Sequence, residues 1–224
     1  MINSCIFDLD GTLLNTLADL RESTNYALKK FEFPERSMEE IRNFVGNGLR
    51  MLIRRAVPNF ADEETVDRVL AEMKAHYREH YHDGTVPYDG ILPFLRKMKN
   101  CGFRMAIVSN KADPMVQLLR TLYFDDLISV AVGELEGVAH KPAPDLVKIA
   151  MHRLGCTAEN AVYIGDSEVD IETAKNAGLP CMSVGWGFRD EEILHNAGAK
   201  TIYHSPAELQ EALMSYLLTK MSHS

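Results

Sequence analysis

The spacing of apolar positions changes character twice along the chain. Residues 2–7 read as a short buried strand. From about Thr16 to His82 the period becomes helical, broken only by short turns. Leu17, Leu20, Ala27, Leu28 and Phe31 share one stripe of a first helix that ends before Pro34. Ser37-Met38-Glu39-Glu40 has capping-box spacing and opens a second helix toward Phe44. Leu49, Leu52, Ile53 and Ala56 mark a third face, and Asp62 caps a longer helix whose stripe is Val66, Val69, Leu70, Met73 and Tyr77.

After Asp83-Gly84 and Pro87-Tyr88-Asp89-Gly90 the pattern alternates. Helices are predicted over 91–99, from Asp113-Pro114 to Tyr123, over 144–154, up to Gly178 and over 190–196. Strands are predicted over 103–108, 128–132, 161–164, 181–184 and 201–203. Asp113 is read as the N-cap of its helix, with Pro114 at the first helical position. Ser205-Pro206-Ala207-Glu208 starts a C-terminal amphipathic helix with a second capping box. Such alternation predicts an α/β protein, a Rossmann-like parallel sheet covered on both faces, to which the first strand also belongs. The expected organisation is a discontinuous core of residues 1–14 and 84–224 and an inserted all-helical cap of residues 15–83.

Composition adds exclusions. At 224 residues the chain is long enough for a sizeable core. No segment has signal-peptide order and no apolar stretch is long enough to span a bilayer, so a cytoplasmic protein with no membrane partner is expected. A net charge of −8 opposes nonspecific nucleic-acid binding. Any anionic substrate then requires a local cationic pocket. Cys5, Cys101, Cys156 and Cys181 lack C-x-x-C spacing and read as free thiols. His76 and His80 lie one helical turn apart without a companion ligand at a recognised spacing, which fits a polar helix face.

Candidate chemistry gathers at predicted strand ends, where open parallel sheets bind ligands. Asp8 and Asp10 leave the first strand together, followed by Gly11-Thr12-Leu13; alone, D-x-D serves a turn as well as a site. Ser109-Asn110-Lys111 ends a second strand, and turn chemistry accounts equally for Ser and Asn. Lys141 precedes Pro142 at a helix start, where the helix dipole gives a cation no advantage. In Gly165-Asp166-Ser167-Glu168-Val169-Asp170, Ser167 and Asp170 fit a capping arrangement, whereas neither capping nor packing requires Asp166. Oxygen ligands of this kind suit magnesium. In Val45-Gly46-Asn47-Gly48-Leu49-Arg50, Arg50 is either a solvated cation or part of an anion site at a helix N-terminus.

The strings D-x-D-G-T, S-N, K-P and G-D-S-x-x-D, in that order and over almost the whole chain, resemble the haloacid-dehalogenase-like hydrolases. V-G-N-G-L-R, S-N-K and Gly185-Trp186-Gly187-Phe188-Arg189 resemble the phosphoglycolate phosphatases among them. The resemblance implies a phosphatase with Asp8 as nucleophile and Asp10 as general acid and base. It implies that Ser109, the backbone amide of Asn110 and Lys141 bind the transferring phosphoryl group, with Arg50 as a further substrate contact. It also implies Mg2+ held by Asp8, the Asp10 carbonyl and Asp166, with Asp170 in support. One departure is Asn15-Thr16, where many relatives carry Asp-Ser or Asp-Thr.

The implied substrate is a small phosphorylated metabolite, 2-phosphoglycolate first, and the implied assembly a monomer or homodimer. Alternatives are a sugar phosphomutase, which returns the phosphoryl group to sugar, a pyrophosphatase or nucleotidase of the same superfamily, and a regulatory pseudoenzyme. Trp186 and Arg189 serve either a loop's structure or the substrate.

Overall fold

A computed structural model describes residues 2–218. In chain order the elements are β1 (Ser4–Phe7), β2 (Leu14–Asn15), α1 (Leu17–Lys30), α2 (Met38–Phe44), α3 (Gly48–Ala56), α4 (Glu63–His80), β3 (Val86–Pro87), α5 (Ile91–Asn100) and β4 (Arg104–Ala112). They continue as α6 (Asp113–Phe124), β5 (Val130–Glu134), α7 (Asp145–Leu154), β6 (Ala161–Gly165), α8 (Glu168–Ala177), β7 (Cys181–Val184), α9 (Glu191–Asn196), β8 (Ile202–Tyr203) and α10 (Pro206–Leu218). The chain divides into two compact units, one formed by the residues up to Leu13 and from Pro87 onward, the other by Leu14–Val86.

The first unit is α/β. Its six strands are ordered β5-β4-β1-β6-β7-β8 and all pair in parallel. β1 lies between β4 and β6, with Phe7 opposite Ile107 on one side and Ile164 on the other. The chain builds outward from β1 through β4 and β5, then crosses back to β6 and builds the other way. That reversal is the topological switch at which such sheets place ligands, beyond the strands' carboxyl ends. All four residues of β1 are buried, as a strand covered on both faces requires. Ile6, Ala106, Val108, Val132 and Tyr163 share a core cluster with residues of α7 and α8. Burying an aliphatic side chain of this kind contributes about 1.5–3 kcal/mol.

The second unit is helical, and its sequence stripes are its core: Val66, Val69, Leu70, Met73 and Tyr77 are all buried on α4. Ser37 and Glu40 form the reciprocal capping box, and Asp62 accepts from the Thr65 amide. Buried Asp19 on α1 accepts from the Gly84 amide (2.7 Å), the Thr85 amide (2.8 Å) and the Thr85 hydroxyl (2.6 Å). One carboxylate thereby ties the unit's last residues to its first helix. His76 stacks between Tyr26 (4.1 Å) and His80 (4.3 Å), and its Nδ1 lies 3.0 Å from Ser23 Oγ.

Three local expectations are corrected. β4 does not stop at Val108 but continues to Ala112 through an irregular segment. Ala112, not Asp113, is the N-cap of α6, because the Asp113 carboxylate accepts from the Gly133 amide of β5 (2.8 Å). At α10, the Ser205 hydroxyl accepts from the Glu208 amide, but Glu208 reaches back to the His204 amide rather than that of Ser205. The four cysteines are free. Among the described residues no helix is long and apolar enough to cross a membrane.

Candidate active site

The carboxyl ends of β1, β4 and β6 and the segment after β5 bring four carboxylates and two ammonium groups together. Asp8 directly follows β1 and is 8% exposed. Its Oδ1 accepts from the Leu9 amide (2.7 Å) and lies 2.9 Å from Lys141 Nζ. Among the described residues no hydrogen bond or ion pair engages Oδ2. Burial and the Asp170 and Asp166 carboxylates push Asp8 well above the usual carboxylate range, against the pull of Lys141.

Lys141 is nearly fully buried and paired twice, with Asp8 and with Asp170 Oδ1 at 2.9 Å. Burial disfavours its charge, but the Asp170 and Asp8 carboxylates more than offset this and hold the amine well above its ordinary value. Tyr163, inside β6, completes the cluster: its hydroxyl donates to Asp170 Oδ1 (3.1 Å) and accepts from Lys141 Nζ (3.1 Å). Asp170 Oδ2 accepts from the Ser167 amide (3.1 Å) and hydroxyl (2.6 Å). Both oxygens of Asp170 are thus committed to protein donors. The contacts to Ser167 are the capping arrangement expected from the sequence.

Asp166 follows β6. Thr12 donates to its Oδ1 (2.9 Å) and the Phe188 amide to its Oδ2 (2.8 Å). Glycines make room for it: a Cβ at Gly11 would lie 2.3 Å from Asp166 Oδ2, and one at Gly187 would lie 2.3 Å from Asp166 Cβ. Gly11 also has φ +89°, a conformation costly for other residues. Burial first, then Asp170, push the Asp166 carboxyl up to about 7. Trp186 Nε1 donates to the Thr12 carbonyl (3.0 Å), and Arg189 pairs with Glu168 (2.8 Å). Both contacts stabilise the loop that carries Gly187 and Phe188.

At the end of β4, Ser109, Asn110 and Lys111 are all buried. Asn110 donates to the Lys141 carbonyl (3.0 Å) and accepts from the Lys141 amide (2.8 Å). Its side chain therefore holds the segment that presents Lys141. Ser109 Oγ accepts from the Lys111 amide (3.2 Å), which leaves its own proton for another acceptor. Lys111 Nζ reaches both oxygens of Asp10, at 2.7 and 2.9 Å. Sequence reasoning used Lys111 only as part of a motif and missed this pair. A lysine one residue beyond a strand-end amide was the available signal.

Arg50 lies in the helical unit, where its guanidinium pairs with Glu63 (2.6 Å) and Asp67 (2.9 Å) in an exposed network. These contacts describe a surface ion-pair cluster on α3 and α4.

Oxygens of Asp8, Asp166 and Asp170 lie within 4.8 Å of one another, close enough to share a cation. Asp170 is spent on the Lys141 ammonium and two Ser167 donors, whereas Asp8 keeps Oδ2 open and each Asp166 oxygen accepts from a single neutral donor, so Asp8 and Asp166 are the side chains that fit as direct ligands. Charge agrees: Asp8, Asp10, Asp166 and Asp170 outnumber Lys111 and Lys141 by two. One divalent ion balances that excess, and oxygen donors of this type suit Mg2+.

Residues 5–184 match the family of haloacid dehalogenase-like hydrolases. The chain is 32% identical over 188 residues to a phosphoglycolate phosphatase of Pseudomonas putida strain KT2440, spanning 82% of this chain and 69% of the relative. It is 31% identical over 216 residues to one from Mesorhizobium japonicum, spanning 93% and 95%. The crystal structure of a candidate phosphoglycolate phosphatase from Lactobacillus delbrueckii subsp. bulgaricus superposes with a TM-score of 0.90 at 34% identity, covering 94% of this chain and 98% of that one.

Proposed function

The chain belongs to the haloacid dehalogenase-like hydrolases and is a phosphatase; on that premise we propose that it hydrolyses a small phosphomonoester, 2-phosphoglycolate first, through an aspartyl-phosphate on Asp8. The observation that carries the reading is the Asp8 carboxylate, buried at the end of β1 with Oδ1 held by Lys141 and the Leu9 amide and Oδ2 open. A carboxylate so oriented presents one fixed lone pair to phosphorus.

In the first half, Asp8 Oδ2 bonds to phosphorus as the ester P–O bond breaks, and Asp10 gives a proton to the departing oxygen. In the second, water attacks phosphorus, Asp10 takes its proton, and the bond from phosphorus to Oδ2 breaks to release inorganic phosphate and the Asp8 carboxylate. The Ser109 hydroxyl donates to a phosphoryl oxygen and the Lys141 ammonium offsets charge on both reacting groups. Asp8 and Asp166, with the Asp10 carbonyl, would hold Mg2+, which supplies the neutralisation that lets an anionic carboxylate approach an anionic ester. The name of the P. putida and M. japonicum relatives supports 2-phosphoglycolate as substrate.

The test is phosphate release from a panel containing 2-phosphoglycolate, sugar phosphates, nucleoside monophosphates and pyrophosphate, ranked by kcat/KM with and without Mg2+. 2-Phosphoglycolate ranks first and chelation abolishes turnover. Release from no monoester in Mg2+ contradicts the reading; a requirement for a sugar bisphosphate activator would make the protein a mutase.

A further inference from the structure

Lys111 carries a buried charge at the end of β4. Its side chain is 4% exposed, and lysines are almost never buried without a reason in their partner. The backbone that delivers it is irregular. Val108 pairs with Val132 and Ala112 with Glu134, so four steps along β4 match two along β5. Ser109, Asn110 and Lys111 lie inside this register shift, and all three are buried. Bulges of this kind re-aim side chains next to active sites.

The opposite strand accommodates the bulge at Gly133, where a Cβ would lie 2.6 Å from the Lys111 carbonyl oxygen and 2.5 Å from Asp113 Cα. Asp113 fastens the far side by accepting from the Gly133 amide (2.8 Å) and from Gln117 Nε2 (3.2 Å). Ser109 and Asn110 have uses of their own in the bulge. The Lys111 ammonium makes a bidentate contact to Asp10 Oδ1 and Oδ2 across 101 residues of sequence.

We propose that Lys111 is a positioning residue for Asp10: by gripping both carboxylate oxygens from the β4 bulge, it fixes the direction in which Asp10 meets the leaving oxygen and the attacking water. This rests on the reading of Asp10 as the proton carrier. Lys141 organises the nucleophile, and Lys111 organises the acid and base; the two lysines divide the site between them.

Leaving-group dependence tests it, since a poor leaving group needs the proton that a good one can depart without. Phenyl phosphate and p-nitrophenyl phosphate differ in this respect with little difference in shape. With the full-length protein in saturating Mg2+, Asp10→Asn is expected to lose about 100-fold or more on phenyl phosphate and clearly less on p-nitrophenyl phosphate. Lys111→Met is expected to reproduce that bias at roughly 10-fold or more, mainly in kcat. Lys111→Gln, which keeps a polar donor in the same pocket and covers the case of a Met variant that does not fold, shows the same bias at smaller size. Equal losses on both esters in the folded Lys111 variants, beside a biased Asp10→Asn, overturn the role of Lys111 and leave that of Asp10 standing. An unbiased Asp10→Asn overturns both.

Discussion

The two units handle charge in opposite ways. In the α/β unit the ammonium groups of Lys141 and Lys111 are buried, their side chains 3% and 4% exposed, and of their carboxylate partners only Asp10, at 21%, is half-buried. In the helical unit Arg50, Glu63 and Asp67 pair at similar distances with side chains 47%, 66% and 64% exposed. Distances alone make the two networks look alike. Burial separates them, because an exposed pair is screened and contributes about 0–1 kcal/mol, whereas a buried pair costs several kcal/mol per ion in desolvation before its attraction repays anything. A fold gains little by collecting four carboxylates and two lysines at the ends of its strands. Their presence is better explained by the chemistry proposed for them on a phosphate than by stability.

The comparison is broken most forcefully at Lys141. Lys141→Met leaves Asp170 buried without its countercharge and Asp8 without its guide. It is expected to lower kcat by about 10²–10³-fold and to destabilise the fold by about 3–5 kcal/mol, measured by steady-state kinetics and denaturant unfolding. A smaller effect comes from pH. Because burial and Asp170 push the Asp166 carboxyl up to about 7, cation binding must expel its proton below that value. Since Asp8 is raised as well, Mg2+ affinity is expected to fall by about tenfold or more per pH unit as pH drops well below about 7, read from activation constants or calorimetry. The sign for metal-free folding is the reverse: a carboxyl with a raised pKa opposes folding more as pH rises from about 4 to about 7. Metal-free Asp166→Asn should therefore gain stability over wild type at pH 8 and lose that advantage progressively as pH falls from about 7 to about 4. The smallest effect is Arg50→Ala, expected to change unfolding free energy by less than about 1 kcal/mol. A loss of several kcal/mol there would erase the distinction between the networks.

The α/β class was legible because apolar spacing reports burial directly: β6 and β7 lie within a residue of their expected bounds, and every member of the α4 stripe is buried. What failed locally depended on a distant strand. Asp113-Pro114 has the composition of a helix start, yet its carboxylate serves Gly133, and no local pattern announces that. The β4 bulge is likewise a property of the β4–β5 register and not of Ser109-Asn110-Lys111 alone. Asp166 stood out in sequence because neither capping nor packing requires it, and Asp8 and Lys141 stood out through the order of motifs shared with the haloacid-dehalogenase-like hydrolases; the fold brings all three to one cluster. Tyr163 did not, since one tyrosine in an apolar strand looks like packing; its hydroxyl matters only beside Lys141 and Asp170. Asn110 entered as a backbone contact to phosphate, whereas its side chain secures the backbone of Lys141.

The central claim is that Asp8 becomes phosphorylated. An acyl phosphate is trapped by hydroxylamine, so protein quenched during turnover of 2-phosphoglycolate in Mg2+ can be treated with hydroxylamine, digested and mapped by mass spectrometry. The account predicts a substrate-dependent hydroxamate on Asp8 alone, and its absence in a folded Asp8→Asn variant whose turnover has fallen by at least about 10³-fold. A hydroxamate on another residue, or near-normal turnover in Asp8→Asn, would contradict it.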